Sequence, residues 1–234
     1  MWIKLVTTLL LGAALLSGSD IRGSITIERK LTRHNVTASA GIYQRGTAVE
    51  LGVDAEGDPL AFERSHVAVY LEGGPSSGAA GVVRASIEQR DRRFVPDLLV
   101  IPAGSTVSFP NVDPIFHNVF SLSKPRNFDL GNYPKGQTRM ITFLAPGTVA
   151  VYCHLHSNMA ATIVVAPNRW AARADRNGAF TFKDVPAGTY TVVAWHKTAG
   201  TFRKTVTISD QSDAEVGFTL PYVEPTYMKP LAHR

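Results

Sequence analysis

The sequence predicts an all-β protein built from small β-sandwiches. Apolar residues alternate with polar ones or run in short blocks, which is typical of strands. Gly, Pro, Asn and Asp interrupt these blocks at regular intervals and supply the turns between them. No stretch beyond the N-terminal segment has the apolar period of a helix, so we expect no helix there. Many short strands with regular turns are typical of sandwiches or barrels.

Residues 1–19 have the layout of a secretory signal. One Lys precedes an apolar run at residues 5–16, and small residues follow the run. The run is shorter than the roughly 18 to 20 residues that cross a bilayer, so we expect cleavage near Ser19. The mature protein is then expected in the periplasm, without a stable membrane anchor.

Turn signals divide the rest of the chain into predicted strands. The clearest turns are marked by Pro-Ala-Gly at residues 102–104 and 186–188, Ala-Pro-Gly at residues 145–147, and an Asn-Gly pair at residues 177–178. The alternating or continuous apolar blocks between the turns are the strands. The predicted strands are residues 24–28, 67–72, 98–101, 106–109, 139–143, 149–152, 162–165, 179–182, 189–195 and 203–209.

The spacing of these strands predicts two β units after the signal. Residues 87–166 form the first unit, and residues 167–221 form the second. Residues 20–86 carry two further strands and end in the Gly-rich run GGPSSGAAG, which is typical of a flexible connection. Residues 222–234 are rich in Pro and charge, so we expect a tail that continues no strand.

A group of potential metal ligands lies in PGTVAVYCHLHSNMAATIVV. Cys153, His156 and Met159 stand at C-x-x-H-x-x-M spacing in a loop between two predicted strands. Further upstream, VSFPNVDPIFHNVFSL supplies His117 after another predicted strand. A Cys and two His with a weak axial Met are the ligands of a blue-copper site. The sequence therefore predicts one mononuclear copper ion.

Cys153 is the single cysteine of a chain that we expect to be exported. It has no partner for the internal disulfide that an oxidising compartment favours. A buried inert thiol beside a surface His and a core Met is the plain alternative. That alternative leaves the matching context of His117 unexplained, so metal ligation is the better interpretation.

Both segments resemble the cupredoxin family over roughly residues 94–165, and the short cysteine loop is most similar to its amicyanin and plastocyanin branch. The resemblance implies a Greek-key β-sandwich that binds one type 1 copper ion. It assigns the ligand roles to His117, Cys153, His156 and Met159, with electrons passing through the partly exposed His156. It also gives Asn118 a bracing role, through hydrogen bonds to the cysteine loop.

The segment DRNGAFTFKDVPAGTYTVVAWH resembles the carboxypeptidase regulatory-like module, a small non-catalytic sandwich of Ig-like type. The fusion of the two units resembles exported proteins labelled as methylamine-utilisation-like. This resemblance implies that strands 24–28 and 67–72 belong to the second sandwich. The copper unit would then be inserted between its two halves.

His154 departs from the cupredoxin pattern, because many relatives have Thr, Ser or Asn after the cysteine. As an extra ligand it would produce a different copper site or a zinc site. However, a residue next to a strand-end ligand usually points to the opposite face. The remaining histidines that we interpret as structural or surface residues are His34, His66, His196 and His233.

The sequence thus predicts a non-enzymatic protein that transfers single electrons. The net charge of +5 and pI of about 9.4 favour a redox partner with an acidic surface. Nucleic acid is not expected, since the chain is exported and has no recognition motif. Two alternatives remain open: a periplasmic copper carrier or buffer, and a structural or adhesion sandwich with an incidental metal.

Overall fold

The computed structural model describes residues 18–31, 58–74, 81–209 and 212–221. Strands form nearly all of the regular structure of these residues, which confirms the predicted all-β class. The expectation of no helix was wrong at one short element, α1 (Ala61–Ser65). No helix among the described residues has the length and apolar character to span a membrane.

The described residues form these strands. Before and within the first unit they are β1 (Ser19–Ile27), β2 (Val67–Glu72), β3 (Arg84–Ser86), β4 (Glu88–Arg90), β5 (Arg93–Val95), β6 (Leu98–Pro102), β7 (Ser105–Pro110), β8 (His117–Ser123), β9 (Arg126–Tyr133), β10 (Thr138–Phe143), β11 (Gly147–Tyr152) and β12 (Ala160–Ala166). In the second unit they are β13 (Ala171–Arg173), β14 (Ala179–Val185), β15 (Gly188–His196), β16 (Gly200–Ile208) and β17 (Ala214–Leu220).

Some sequence-based expectations lie outside the described residues. Nearly all of the expected signal at residues 1–19 is among them, and so is the expected tail at residues 222–234. His34 and His233 also fall there.

Two sheets form the first unit. One has the order β6-β12-β11-β8-β9, and the other has the order β10-β7-β3. Alternate side chains of β7, such as Val107 and Phe109, are buried and pack with Val119 and Ile163 from the opposite sheet. This packing buries apolar surface on one face of each sheet, which is the main stabilising contribution in a sandwich. The hairpin β4–β5 closes one end of the unit.

The second unit is a sandwich of the sheets β14-β1-β17 and β13-β2-β15-β16. Strand β1 lies between β14 and β17, and β2 lies between β13 and β15, so both N-terminal strands are interior strands of these sheets. Their inward side chains, including Ile21, Ile25 and Val69, belong to one core with Phe182 and Phe218.

A smaller apolar contact joins the two units. Ala68 from β2 packs with Leu98 from β6 and Val164 from β12, all of them buried. Trp195 of β15 packs against the edge of this cluster. Arg173 of β13 also donates a hydrogen bond of 3.5 Å to the Leu98 carbonyl. The second unit therefore packs against β6 and β12 of the five-stranded sheet.

Candidate metal centre

The predicted ligands come from two neighbouring strands of the five-stranded sheet. His117 is the first residue of β8, and Cys153 directly follows β11. Tyr152 pairs with Phe120 across β11 and β8, which brings the ends of these strands together. The antiparallel hairpin of β11 and β12 then holds residues 153–159 as a closed loop at the same end of the sheet.

Three side chains of this group converge on one point. The donor atoms of His117, Cys153 and His156 all lie within 4.8 Å of one another. The two Nδ1 atoms of the histidines are 3.1 Å apart, and the Cys153 Sγ is 3.7 Å from Nδ1 of His156. His117 and Cys153 are buried, whereas His156 is partly exposed. The thiol and one imidazole are thus shielded from water, and the other imidazole reaches the surface.

Met159 lies on the same loop and is only 1% exposed. It belongs to the apolar cluster that also contains Cys153. Its backbone N–H donates to the His156 carbonyl at 3.1 Å, which folds the end of the loop back over the site. The structure therefore places all four predicted residues in the loop and strand end that form this pole of the first unit.

Asp113 was missed by the sequence analysis, yet its carboxylate contacts the site. It accepts a hydrogen bond of 2.7 Å from Nε2 of His117. Because a carboxylate only accepts, the His117 ring carries a proton on Nε2, and its Nδ1 is the nitrogen that faces His156. The i, i+4 spacing of Asp113 and His117 was the available signal, but such a spacing in a loop has little meaning by itself.

The same carboxylate accepts backbone N–H groups from a distant hairpin. Asp91 donates to Oδ1 at 2.7 Å, and Arg92 donates to Oδ2 at 2.9 Å. Burial by itself raises the pKa of Asp113, but the hydrogen bonds from Arg92, His117 and Asp91 outweigh it and hold this pKa below its usual value. Asp113 is therefore a carboxylate ion that orients His117.

Asn118 contacts the cysteine loop at two points. Its backbone N–H points at the Cys153 Sγ at 3.4 Å, and its side-chain oxygen accepts the His154 N–H at 3.4 Å. Its amide nitrogen donates to Asp129 at 2.7 Å, which fixes the orientation of the side chain. Such contacts orient a thiolate and limit the movement of its loop.

His154 lies outside the three-residue cluster. Its ring stacks on Phe120, with centroids 3.7 Å apart and an interplanar angle of 6°. Its Nε2 is 3.5 Å from a carboxylate oxygen of Asp129, and its side chain is 55% exposed. In this arrangement His154 is not among the converging donors. Its place in the chain explains this, because a residue next to a strand-end ligand usually points to the opposite face.

Burial and neighbouring charges lower the pKa of His156. Burial lowers the pKa of His156, and the positive charges of His117 and Arg92 lower it further, against a smaller opposing effect of Asp113. A neutral imidazole is the form that binds metals. In the described part of the chain, no other group of three or more His, Cys, Asp or Glu has this arrangement.

The donor set fits copper. A thiol, two imidazoles and a buried thioether nearby are soft or borderline ligands, and no carboxylate belongs to the converging group. The burial of Cys153 and Met159 in an apolar cluster matches the dry surroundings that such sites need. Residues that favour hard cations such as calcium or magnesium are absent from the cluster.

Comparisons with known proteins match separate parts of the chain. Residues 166–216 match the family model described as polysaccharide lyase family 4, domain II. Part of the chain is similar to a copper-containing nitrite reductase from Thermus scotoductus SA-01, at 27% identity and a TM-score of 0.34. That match covers 35% of this chain and 22% of the reductase, so only about a fifth of the reductase is involved.

Two smaller proteins match over nearly their whole length. A purple cupredoxin from Nitrosopumilus maritimus is 24% identical over 35% of this chain and 98% of its own, with a TM-score of 0.32. A methionine-to-alanine mutant of amicyanin in its Cu(I) form is 20% identical over 42% of this chain and 97% of its own, with a TM-score of 0.33. The chain thus combines a β unit similar to cupredoxins with a second β unit that matches a different family model.

Proposed function

We propose that this protein is a type 1 copper protein that transfers single electrons. His117, Cys153, His156 and Met159 would hold one copper ion, which supplies the change between Cu(I) and Cu(II). The observation that carries the proposal is the convergence of the His117, Cys153 and His156 donor atoms within 4.8 Å at the end of two paired strands. No step of this function requires the protein to make or break a covalent bond.

The surrounding residues would keep the site nearly unchanged during electron transfer. Asp113 holds the His117 ring by a hydrogen bond, and Asn118 holds the cysteine loop at both its backbone and its side chain. The ligands sit on a sheet whose core is fully buried, and such a core resists deformation. Little rearrangement then accompanies a change of charge at the metal.

Electrons would enter and leave through His156. It is the only one of the three converging residues that is partly exposed, and exposed apolar side chains of Ile115, Phe116 and Leu155 lie on the neighbouring loops. An apolar surface of this kind suits the small, transient contacts of redox proteins. We propose the periplasm as the location, on the basis of the secretory layout of residues 1–19.

The replacement Cys153→Ser tests the proposal directly. We expect the copper-loaded, oxidised protein to have an intense absorption band near about 600 nm, from charge transfer between the Cys153 thiolate and Cu(II). The variant should lose this band, since a hydroxyl does not give that transition. A protein that stays colourless with copper, or a variant that stays intensely blue, would contradict the assignment.

Kinetics would then separate electron transfer from copper carriage. An electron-transfer protein should exchange electrons quickly between its own oxidised and reduced forms and should keep its copper in the presence of a chelator. Slow self-exchange with rapid loss of copper would favour a carrier instead. Both rates can be measured on the same copper-loaded sample.

A further inference from the structure

The hairpin of β4 and β5 ends in four charged residues, Arg90, Asp91, Arg92 and Arg93, which we name the basic tip. The two central residues, Asp91 and Arg92, have φ values of 53° and 54°. This left-handed conformation matches a tight two-residue hairpin turn, although Gly or Asn usually occupies it. The turn is held in place by Asp113, which accepts the N–H groups of both central residues.

The base of the hairpin is fixed in the core of the first unit. Gln89 is fully buried and donates from its side chain to the Tyr133 hydroxyl at 2.6 Å. Its carbonyl accepts the N–H of Val112 at 3.1 Å, and Phe94 on β5 is only 2% exposed. The basic tip is therefore a rigid projection and not a loose loop.

The positive charge of the tip is only partly balanced. Arg90 pairs with Glu88 at 2.6 Å. Arg92 and Arg93 are exposed, and neither guanidinium forms an ion pair with another residue in the described ranges. The carboxylates of Asp91 and Asp113 are the negative charges next to them. Two guanidinium groups are thus left to act on solvent and on approaching molecules.

The tip also lies beside the proposed exit for electrons. The same Asp113 that holds the turn holds the His117 ring, and the charge of Arg92 acts on the partly exposed His156. The exposed apolar residues Ile115 and Phe116 follow Asp113 in the chain. Asp113 therefore links the cationic tip to the pair His117 and His156, and exposed apolar residues directly precede His117 in the chain.

We propose that the basic tip is a docking surface for a redox protein that presents carboxylates around its own electron entry site. This inference rests on the proposed electron transfer and names the chemistry of the partner. Fixed charges at the edge of an interface mainly raise the association rate and orient the partner. The rigid tip would place such a partner over His156 without any loss of flexibility on binding.

A first test needs no copper. Amide signals of the ¹⁵N-labelled apoprotein are recorded with hexacyanochromate(III), a paramagnetic trianion, at low ionic strength. We expect selective broadening at residues 90–93 and 115–117. The pair Arg92→Glu and Arg93→Glu should remove it, whereas the control pair Arg176→Glu and Lys183→Glu, at exposed positions of the second unit, should leave it unchanged. Broadening spread evenly over all basic residues would overturn the proposal.

A second test measures electron transfer from the reduced, copper-loaded protein. Hexacyanoferrate(III) takes one electron, so Cu(I) becomes Cu(II) and Fe(III) becomes Fe(II). The double variant with Arg92→Glu and Arg93→Glu should react with hexacyanoferrate(III) on the order of tenfold more slowly at low salt. The same variant should react faster than the parent with a tris(phenanthroline)cobalt(III) cation. Equal rates for the variant, its control and the parent would overturn the docking surface while leaving the copper site intact.

Failure of the copper site itself has a different outcome. If the copper-loaded protein lacks the blue band, the proposed function is wrong, yet the apoprotein can still show the selective broadening.

Sedimentation with anionic phosphatidylglycerol vesicles is the remaining control. Vesicle binding that requires Arg92 and Arg93 would assign the basic tip to a membrane surface and overturn the assignment to an acidic protein.

Discussion

Asp113 is the residue that connects the candidate metal centre with the rest of the first unit. One buried carboxylate accepts hydrogen bonds from His117, Asp91 and Arg92. A carboxylate that accepts from a metal-binding histidine fixes the ring and makes it a stronger donor. The geometry of the site and the position of the basic tip therefore depend on the same side chain.

The replacement Asp113→Asn should weaken copper binding while leaving the fold in place. The amide oxygen can still accept from His117, but the negative charge is lost and the amide group faces the N–H of Asp91. We expect copper affinity to fall about 10-fold to 100-fold, which is typical when such a residue is changed. The measurement is a competition titration with a chelator of known affinity.

A matched variant separates this effect from a general loss of stability. Asp97→Asn changes an exposed aspartate whose carboxylate contacts His66 and not a copper ligand, so it should leave copper affinity unchanged. If Asp113→Asn also bound copper as tightly as the parent, the orienting role of Asp113 would be wrong.

The sequence pointed to the converging residues and, through the cupredoxin resemblance, to Asn118, but it did not single out Asp113. Cys153 and His156 share one short loop, and their residue types limit the chemistry that they can perform. Asp113 makes its contacts with residues 91 and 92, which are 22 and 21 positions away. A contact of that kind depends on how the hairpin packs, and no local pattern encodes it.

At the scale of elements, the sequence analysis found some strands closely and missed others. β2 occupies the predicted residues 67–72, because its side chains are almost all buried and its run is continuously apolar. β9 was missed, since it is an edge strand whose polar residues alternate between partial and full exposure. α1 is five residues long, which is too short to show a helical period.

Gly23 of β1 illustrates how closely the second sandwich is packed. A Cβ atom at this position would lie 2.1 Å from the Phe180 ring of β14 and 2.6 Å from the Val216 carbonyl of β17. Glycine is required here by the approach of both neighbouring strands and not by an unusual φ value.

The replacement Gly23→Val should therefore destabilise the second unit. We expect the free energy of unfolding to fall by about 1–3 kcal/mol, the usual cost of overpacking, or more if β1 leaves the sheet. Urea unfolding followed by tryptophan fluorescence would measure the loss. The copper band should persist in the folded variant, because the site belongs to a separate apolar core. Thr26→Val, at an exposed position of the same strand, is the control, and equal losses in both variants would contradict the packing argument.

At the scale of the whole molecule, a second contact accompanies the apolar one between the units. His66, between α1 and β2, lies against Asp97, just before β6. Its Nε2 is 2.9 Å from Asp97, and its Nδ1 is 2.7 Å from the Phe62 carbonyl. Both of these partners only accept hydrogen bonds, so the arrangement is satisfied only when the ring carries two protons and a positive charge.

The pKa values of this pair follow from the same contacts. Burial lowers the pKa of His66, but the hydrogen bonds to Asp97 and Phe62 outweigh burial and raise it above its usual value. Burial raises the pKa of Asp97, but the hydrogen bond and charge of His66 lower it overall. Arg173 is the other charge that acts on both groups, and His66 in turn lowers the pKa of His196 nearby.

The pair should make the stability of the two-unit protein depend on pH in a defined direction. The raised pKa of His66 means that its contribution is fully present below the unfolded value, about 6.5, and is lost as the pH rises through the folded value. The lowered pKa of Asp97 adds a contribution that is lost only in acid, as the pH falls through its folded value. The pair therefore stabilises the molecule most in the interval between these two limits.

Comparison of the parent with Asp97→Asn isolates this contribution. The free energy of unfolding of both apoproteins is measured from about pH 6 to about pH 9, and their difference is plotted against pH. We expect the parent to exceed the variant most at the acidic end and the difference to shrink as His66 loses its proton. Histidines other than His196, whose pKa depends on the charge of His66, titrate alike in both proteins and cancel in the difference. A difference that stays constant or grows with pH would mean that His66 is neutral and that its contact with Asp97 adds no charge-dependent stability.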